Sequence, residues 1–209
     1  MRRLTAALLV VAMGPLSGGA TAQVAAPTAP TAPAADWGIG QLMQSLGQVK
    51  SSRGRFVERK YLAILDTPLE FSGTLVYTAP NRLEKRILLP KPETLVLEQD
   101  RFTFESPSRN QSRTLALNDY PVIRAFVESI RSTLAGDLQT LTRFYRVNLE
   151  GNAGQWRLSM VPSEPAMQAV VREIRISGSN DRIRSIEVIE AQGDRSVTTV
   201  TSANTEDTP

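Results

Sequence analysis

The side chains that most often carry catalysis and metal binding are missing, since the 209-residue sequence contains no histidine and no cysteine. A Ser-His-Asp triad, a cysteine nucleophile, a disulfide and a Cys- or His-ligated metal are therefore excluded. Carboxylates, lysine, tyrosine and serine remain as groups that could do chemistry. From this composition we predict a binding protein with no enzymatic activity, no catalytic residue, no cofactor and no metal.

Two charged features could still form a site. Glu98 with Asp100, or Glu187 with Glu190, could act as a carboxylate pair in a hydrolase, although solvated strand ends are the commoner setting for such residues. Lys85 alternates with the apolar residues Leu83 and Ile87. A lysine in that position either extends to the rim of a sheet or contacts the head group of a ligand.

The first 22 residues have the pattern of a secretory signal peptide cleaved after Ala22. Two arginines precede an apolar stretch over residues 4–13, and residues 20–22 read Ala-Thr-Ala. The apolar stretch is shorter than the roughly 20 residues that span a bilayer. We therefore expect a periplasmic protein that is not embedded in a membrane.

The positive charge of the sequence does not indicate nucleic acid as a partner. The formal net charge of +3 includes the two arginines of the predicted signal peptide, and without them 22 basic residues face 21 acidic ones. So small an excess gives no electrostatic basis for binding a phosphate backbone. We expect no nucleic-acid partner, and a monomer whose 187 mature residues suffice for one domain.

Composition divides the mature chain into three parts. Residues 23–36 are almost entirely Ala, Pro and Thr, which predicts a disordered spacer, and residues 203–209 form a polar tail. Residues 37–202 form the single predicted domain. Apolar residues at three- and four-residue steps predict a helix over 37–49 and a helical pair over about 119–143.

Alternating apolar and polar residues predict about ten or eleven short strands around the helical pair. The strands are expected at residues 55–65, 68–77, 82–89, 93–99, 101–106, 112–117, 144–150, 155–161, 169–177, 182–190 and 195–201. Short connections favour antiparallel neighbours. The predicted fold class is therefore α+β and mainly β, with one large curled sheet covered by helices.

A curled sheet under apolar helices encloses either an ordinary packed core or a cavity for an apolar ligand. The same inward-facing residues would serve in both cases, and alternation along the strands assigns most of them. The candidate ligand-binding residues are Phe71, Leu75, Tyr77, Leu83, Ile87, Leu95, Leu97, Phe102, Phe104, Val122, Phe126, Trp156 and Met160.

One stretch, residues 71–83, reads FSGTLVYTAPNRL. It resembles the signature of the LolA-type outer-membrane lipoprotein carriers, S-G-x-L followed by an apolar position, a proline and a further apolar residue. Residues 55–58, 92–97 and 183–198 also resemble strands of that family, so the likeness extends over about residues 37–202. The motif and lid region of this chain would contain Gly73, Ala79, Pro80 and Leu83.

The resemblance implies an unclosed β-barrel with helices acting as a lid over an apolar cavity. Such a carrier receives the acyl chains of a lipoprotein from an inner-membrane exporter and passes them to an outer-membrane acceptor. Ala79 stands where the lipoprotein carriers have an arginine that ties the lid to the sheet, and Leu83 where they have an aromatic residue. The resemblance therefore leads us to expect as cargo either a lipoprotein, or another lipid or polyene ester served by an RND-type exporter. A regulator that senses lipid or protein on the same scaffold is the remaining alternative.

Overall fold

The computed structural model describes residues 37–202. The predicted signal peptide over residues 1–22, the spacer over residues 23–36 and the tail over residues 203–209 lie outside these described residues. The described chain forms one open antiparallel sheet of eleven strands, with a helix before it and further helices in mid-chain. The predicted mainly β fold class is confirmed.

The helices are α1 (Ile39–Gly47), α2 (Pro121–Ala135), α3 (Leu138–Phe144) and the short α4 (Pro165–Gln168). The strands are β1 (Ser51–Tyr61), β2 (Leu69–Thr78), β3 (Arg82–Leu89), β4 (Glu93–Glu98), β5 (Arg101–Ser106), β6 (Gln111–Ala116), β7 (Tyr145–Asn152), β8 (Gln155–Pro162), β9 (Val171–Ser179), β10 (Arg182–Glu190) and β11 (Arg195–Ser202).

The first and last strands meet in the middle of the sheet. The order is β6-β5-β4-β3-β2-β1-β11-β10-β9-β8-β7, so every neighbouring pair except β1 and β11 is consecutive in the chain. Gly54 lies opposite Ser202 and Tyr61 opposite Arg195. Because β6 and β7 are the two edges, α2 and α3 must cross between the edges, and they do so over one face, which we call the inner face.

The first strand lies earlier than the alternating pattern predicts. The pattern indicates residues 55–65, whereas β1 begins at Ser51, which pairs with Thr78, and ends at Tyr61. Ile64 and Leu65, whose apolar side chains prolong the pattern, are exposed in the loop before β2. Backbone hydrogen bonds hold a ladder, so its limits need not follow side-chain polarity.

The main core lies between the helices and the inner face of β7–β10, which we call the packed half. Its buried side chains are Leu42, Met43, Leu46, Ala125, Ile130, Leu141, Tyr145, Trp156, Leu158, Met160, Met167, Val171, Ile174, Ile176 and Val188. Two large side chains of this core satisfy their polar atoms: Tyr145 Oη donates to the Ala125 carbonyl at 2.9 Å, and Trp156 Nε1 donates to the Asn180 carbonyl at 2.9 Å. No helix within residues 37–202 is long and apolar enough to cross a membrane.

Candidate functional site

A cavity of about 920 Å³ lies between the helices α1 and α2 and the inner face of the sheet, where its wall extends from β2–β5 across β1 and β11 to β10. We call the inner face of β2–β5, which forms most of the strand wall, the hollow half. The apolar wall of the cavity consists of Leu46, Val49, Leu75, Val76, Tyr77, Leu83, Leu95, Leu97, Phe102, Phe126, Val127, Ile130, Leu134, Ile183, Ile186 and Val200. The alternative of a completely packed interior, which the sequence leaves open, therefore does not hold for this half of the sheet.

The cavity opens to solvent at one end of the sheet. Of its lining residues, those that are exposed are Ser51, Ser52, Arg53, Asp181 and Arg182. We call this set the mouth. Its members come from the start of β1 and from the β9–β10 hairpin, which adjoin because β1, β11 and β10 are neighbours in the sheet. The mouth is polar, in contrast to the apolar wall behind it.

Part of the predicted ligand-binding set lies together on this wall. The structure brings Leu75, Tyr77, Leu83, Leu95, Leu97, Phe102 and Phe126 to the cavity. The strand residues among them occupy two adjoining rows: Leu75 pairs with Lys85, and Leu83 pairs with both Tyr77 and Leu97. Period-two alternation therefore identifies the correct face of these strands.

Three predicted residues belong to the packed half instead. Trp156 and Met160 are completely buried in β8, under α1, α2 and α3, and Val122 packs against the same cluster. Alternation places Trp156 and Met160 on the inner face correctly. Alternation does not indicate which part of that face the helices cover. The structure places Trp156 and Met160 in the main core, and not in the cavity wall where they were expected.

The other three predicted residues lie beside the cavity without lining it. Ile87 is buried in the row below Lys85, and the guanidinium group of Arg109 lies 5.6 Å from the centre of the Phe104 ring. Phe71 and Arg109 line a separate cleft of about 190 Å³ with Pro90, Lys91 and Glu93. A register shift between Ser72 and Gly73 in the β2–β3 ladder separates Phe71 from the cavity rows.

The motif over residues 71–83 extends along β2 to the end of the sheet at which the cavity opens. At Gly73 a Cβ atom would lie 1.8 Å from the Arg86 carbonyl oxygen, so only glycine allows the close approach of β2 to β3 at the register shift. At the other end of the motif, the Ala79 amide donates to the Lys50 carbonyl at 2.8 Å, which holds the Ala79-Pro80 turn beside the start of β1.

Ala79 has no charged side chain with which to join the β2–β3 turn to the helices, but a residue of α2 makes a charged contact with the sheet. Arg131 Nη1 donates to the Gln99 carbonyl in the β4–β5 turn at 2.7 Å, and its guanidinium group also pairs with Glu128. The arginine contact between helix and sheet therefore comes from α2, and not from the β2–β3 turn.

An ion pair borders the cavity on the side away from the mouth. Lys85, a wall residue that is largely buried, pairs with the buried Glu58 of β1, and its ammonium lies 4.8 Å from the centre of the Phe56 ring. The residue of β2 that pairs with Phe56 is Gly73, which carries no side chain. Lys85 therefore does not extend to the rim of the sheet, which was one of the two outcomes its position allowed.

A second pair of charges continues this border between the two halves. The Lys60 ammonium lies 3.8 Å from a carboxylate oxygen of Glu190, and both side chains are largely buried. Burial raises the pKa of Glu190 above its usual range, and the charge of Lys60 opposes that shift. Glu190 is therefore paired with Lys60. Glu187, with which it was predicted to form a carboxylate pair, instead lies near Arg175 and Arg195.

Two further polar side chains line the cavity, Thr198 and Tyr77, and within the described residues the phenol of Tyr77 is the one without a partner. Its hydroxyl is buried and has no hydrogen-bond partner within residues 37–202. Burial raises its pKa, so the phenol is neutral at physiological pH. Among the described residues no cluster of three or more Asp or Glu side chains could hold a metal ion.

Sequence reasoning missed the mouth and much of the helical wall. Val127, Ile130 and Leu134 follow the apolar stripe of α2, so the helical period could have added them. The sequence pattern could not identify Arg53 and Arg182, because nothing distinguishes them from other exposed arginines. They line the same opening only because the strand order places the start of β1 near the β9–β10 hairpin.

A family model described as outer membrane lipoprotein carrier protein LolA-like matches residues 29–208. The chain therefore belongs to the LolA-like family, whose members are periplasmic carrier and binding proteins. This result confirms the resemblance seen in residues 71–83. Among proteins of curated function, none matches the sequence.

The solved structures that match this chain have little sequence in common with it. A LolA superfamily protein from Nitrosomonas europaea is 10% identical, with 80% of this chain and 93% of that chain covered and a TM-score of 0.40. A DUF1329 family protein from Desulfovibrio piger is 11% identical, with 82% and 92% covered and a TM-score of 0.46. A chain of the MucA/MucB complex of Pseudomonas aeruginosa is 16% identical, with 81% and 58% covered and a TM-score of 0.40.

Proposed function

We propose that this protein is a monomeric, non-enzymatic periplasmic carrier that holds the acyl chain of a lipoprotein or another lipid in its cavity. It would take this cargo from an inner-membrane exporter and deliver it to an outer-membrane acceptor. The observation that carries the proposal is the apolar cavity of about 920 Å³ with a polar, solvent-exposed mouth. Family membership supports the same role.

The energetics of an acyl chain require such a cavity in any carrier that crosses water. Each methylene group removed from water contributes about 0.8 kcal/mol, so a chain is held only where a continuous apolar wall surrounds it. Ligand sites usually have volumes of about 300–1,000 Å³, and this cavity lies near the upper end of that range. Its volume therefore suits an extended or folded hydrocarbon chain.

Release of the cargo needs a cover that can separate from the sheet. Over the hollow half, α2 is joined to the β4–β5 turn by the Arg131 contact with the Gln99 carbonyl, and the small apolar cluster beneath it contains only Leu97, Leu117 and Val127 as buried members. These attachments over the hollow half are few, but α2 also contributes Ala125 and Ile130 to the main core. Release of the cargo is therefore expected to need a small displacement of α2 and not its detachment, which favours reversible binding over permanent storage.

The sequence departures at Ala79 and Leu83 favour a cargo other than a lipoprotein. Neither the lid-tying arginine nor the aromatic residue of the lipoprotein carriers is present, and the lid contact of this chain comes from Arg131 instead. We therefore propose as a second form of this function that the protein carries another lipid or a polyene ester and works with an RND-type exporter.

Binding of an uncharged apolar probe tests the proposal. We expect N-phenyl-1-naphthylamine to fluoresce in the presence of the protein, and Leu95→Trp, which fills the cavity, to weaken this binding about tenfold. Leu88→Trp is the matched control, because Leu88 is 55% exposed on the adjacent strand and does not line the cavity. A folded wild-type protein that binds no apolar probe, or equal binding by both variants, would rule out the cavity as the site.

A transfer assay separates a carrier from a static binding protein. Donor vesicles containing a fluorescent acylated peptide and acceptor vesicles without it would be placed on opposite sides of a dialysis membrane that the protein can cross. We expect the protein to accelerate transfer and Leu95→Trp to abolish the acceleration. Mass spectrometry of lipids extracted from protein purified out of the periplasm would identify the cargo class.

A further inference from the structure

Positive charge predominates around the mouth of the cavity. The segments that line it, residues 49–54 and 181–183, contain Lys50, Arg53 and Arg182 but only one carboxylate, Asp181. Since the wall behind the mouth is apolar, these charges are concentrated where the head group of a bound amphiphile would lie.

The two arginines at the mouth have their hydrogen-bonding groups available. Within residues 37–202, neither Arg53 nor Arg182 forms an ion pair, and Asp181 makes none with its neighbour Arg182. Lys50 is partly engaged, because its ammonium donates to the Gly47 carbonyl at 2.9 Å. A guanidinium group presents a planar set of donors that matches a carboxylate or a phosphate.

The other cation of the cavity is unsuited to bind a free anion. Lys85 already faces the carboxylate of Glu58 and the ring of Phe56. An anionic head group placed beside Lys85 would also lie near the Glu58 carboxylate, which would repel it. An anion is therefore better accommodated at the mouth than in the interior.

We propose that Arg53 and Arg182 form an anion-binding site at the mouth, and that the ligand is an amphiphile with a carboxylate or phosphate head group. This inference rests on the proposed function, because the hydrocarbon part of the same ligand occupies the cavity behind the mouth. The head group remains in contact with water, the chain contacts the apolar wall, and the two arginines select against neutral amphiphiles of the same length.

Competition with N-phenyl-1-naphthylamine tests the site with two pairs of ligands below their micelle concentrations. Oleate is compared with oleyl alcohol, and lysophosphatidylglycerol with zwitterionic lysophosphatidylcholine. We expect the double variant Arg53→Gln/Arg182→Gln to weaken binding of the anionic member by about tenfold and of the neutral member by less than about twofold. A larger loss for oleate indicates a carboxylate ligand, and a larger loss for lysophosphatidylglycerol indicates a phosphate.

The control variant is Arg146→Gln/Arg157→Gln, which removes two exposed arginines of β7 and β8 away from the cavity. It should leave all four affinities unchanged, and 0.5 M salt should narrow the preference of the wild type for anions. Equal binding of charged and neutral ligands by the wild type, or equal loss of both in the mouth variant, overturns the anion site while the carrier proposal stands. Failure of the wild type to bind any of the ligands overturns both.

Discussion

The two halves of the single sheet carry similar side chains on their inner faces, but the helices cover these faces in different ways. In the packed half, side chains such as Leu158 and Ile176 are completely buried under α1, α2, α3 and α4. In the hollow half, Leu75 and Leu95 are only partly buried, and α2 is the main helix over the cavity, joined by Leu46 near the end of α1. Side-chain size does not explain the difference, because both halves carry leucines and large aromatic residues.

The number of helices over each half explains it. The connection between β6 and β7 crosses the whole sheet, but α3 and α4 follow α2 on the packed side, and α1 supplies Leu42, Met43 and Leu46 to the same core. One half therefore stabilises the fold, and the other remains available for a ligand.

Matched truncations in the two halves should show the largest contrast. Leu158→Ala removes a completely buried side chain, and we expect it to lower the free energy of unfolding by about 4 kcal/mol, because little around it can collapse. Leu95→Ala enlarges an existing cavity, and we expect a loss of about 1 kcal/mol. Urea unfolding followed by circular dichroism measures both, and equal losses would show that the hollow half is packed in solution.

The ion pair on the border between the halves should give the next largest effect. Lys85→Met removes the ammonium that faces the buried Glu58 carboxylate, and we expect a loss of about 3 kcal/mol, since breaking such a pair is strongly destabilising. Glu58→Gln/Lys85→Met should be less destabilised than the sum of the two single variants. A double-mutant cycle measures this coupling, and strictly additive losses would contradict a direct interaction.

The smallest effect concerns the start of α3, a helix that covers only the packed half. The Asp137 carboxylate accepts a hydrogen bond from the Thr140 amide at 2.9 Å, so Asp137→Ala should cost about 1 kcal/mol. Asp181→Ala, at the mouth, is the control and should change stability by less than about 0.5 kcal/mol.

The Asp137 effect should also depend on pH. Hydrogen bonds from Thr140 lower the pKa of this carboxyl group. A carboxyl with a lowered pKa in the folded state stabilises the protein above its unfolded pKa of about 3.9, and this contribution is lost as the pH falls through the folded value. Wild type and Asp137→Ala should therefore differ at pH 7 and converge in strong acid, and a constant difference would argue against the cap.

Much of the sheet could be predicted because alternation is a local property. The predicted limits of β3, β5 and β10 agree with the structure to the residue. The helix α4 was missed because its four residues contain a single buried apolar side chain, Met167, and so no helical stripe. Such short helices are defined by their surroundings and leave no periodic signal.

The candidate site was predictable only in part, and Leu95 and Trp156 show why. Both are apolar, both lie on the inner face, and alternation treats them alike, yet Leu95 lines the cavity and Trp156 is enclosed by helices. The sequence by itself determined the strands, the face that each strand buries and, through residues 71–83, the family. Only the tertiary structure decided which half stays hollow and which arginines line the cavity opening, because both depend on where helices and strand ends distant in sequence come together.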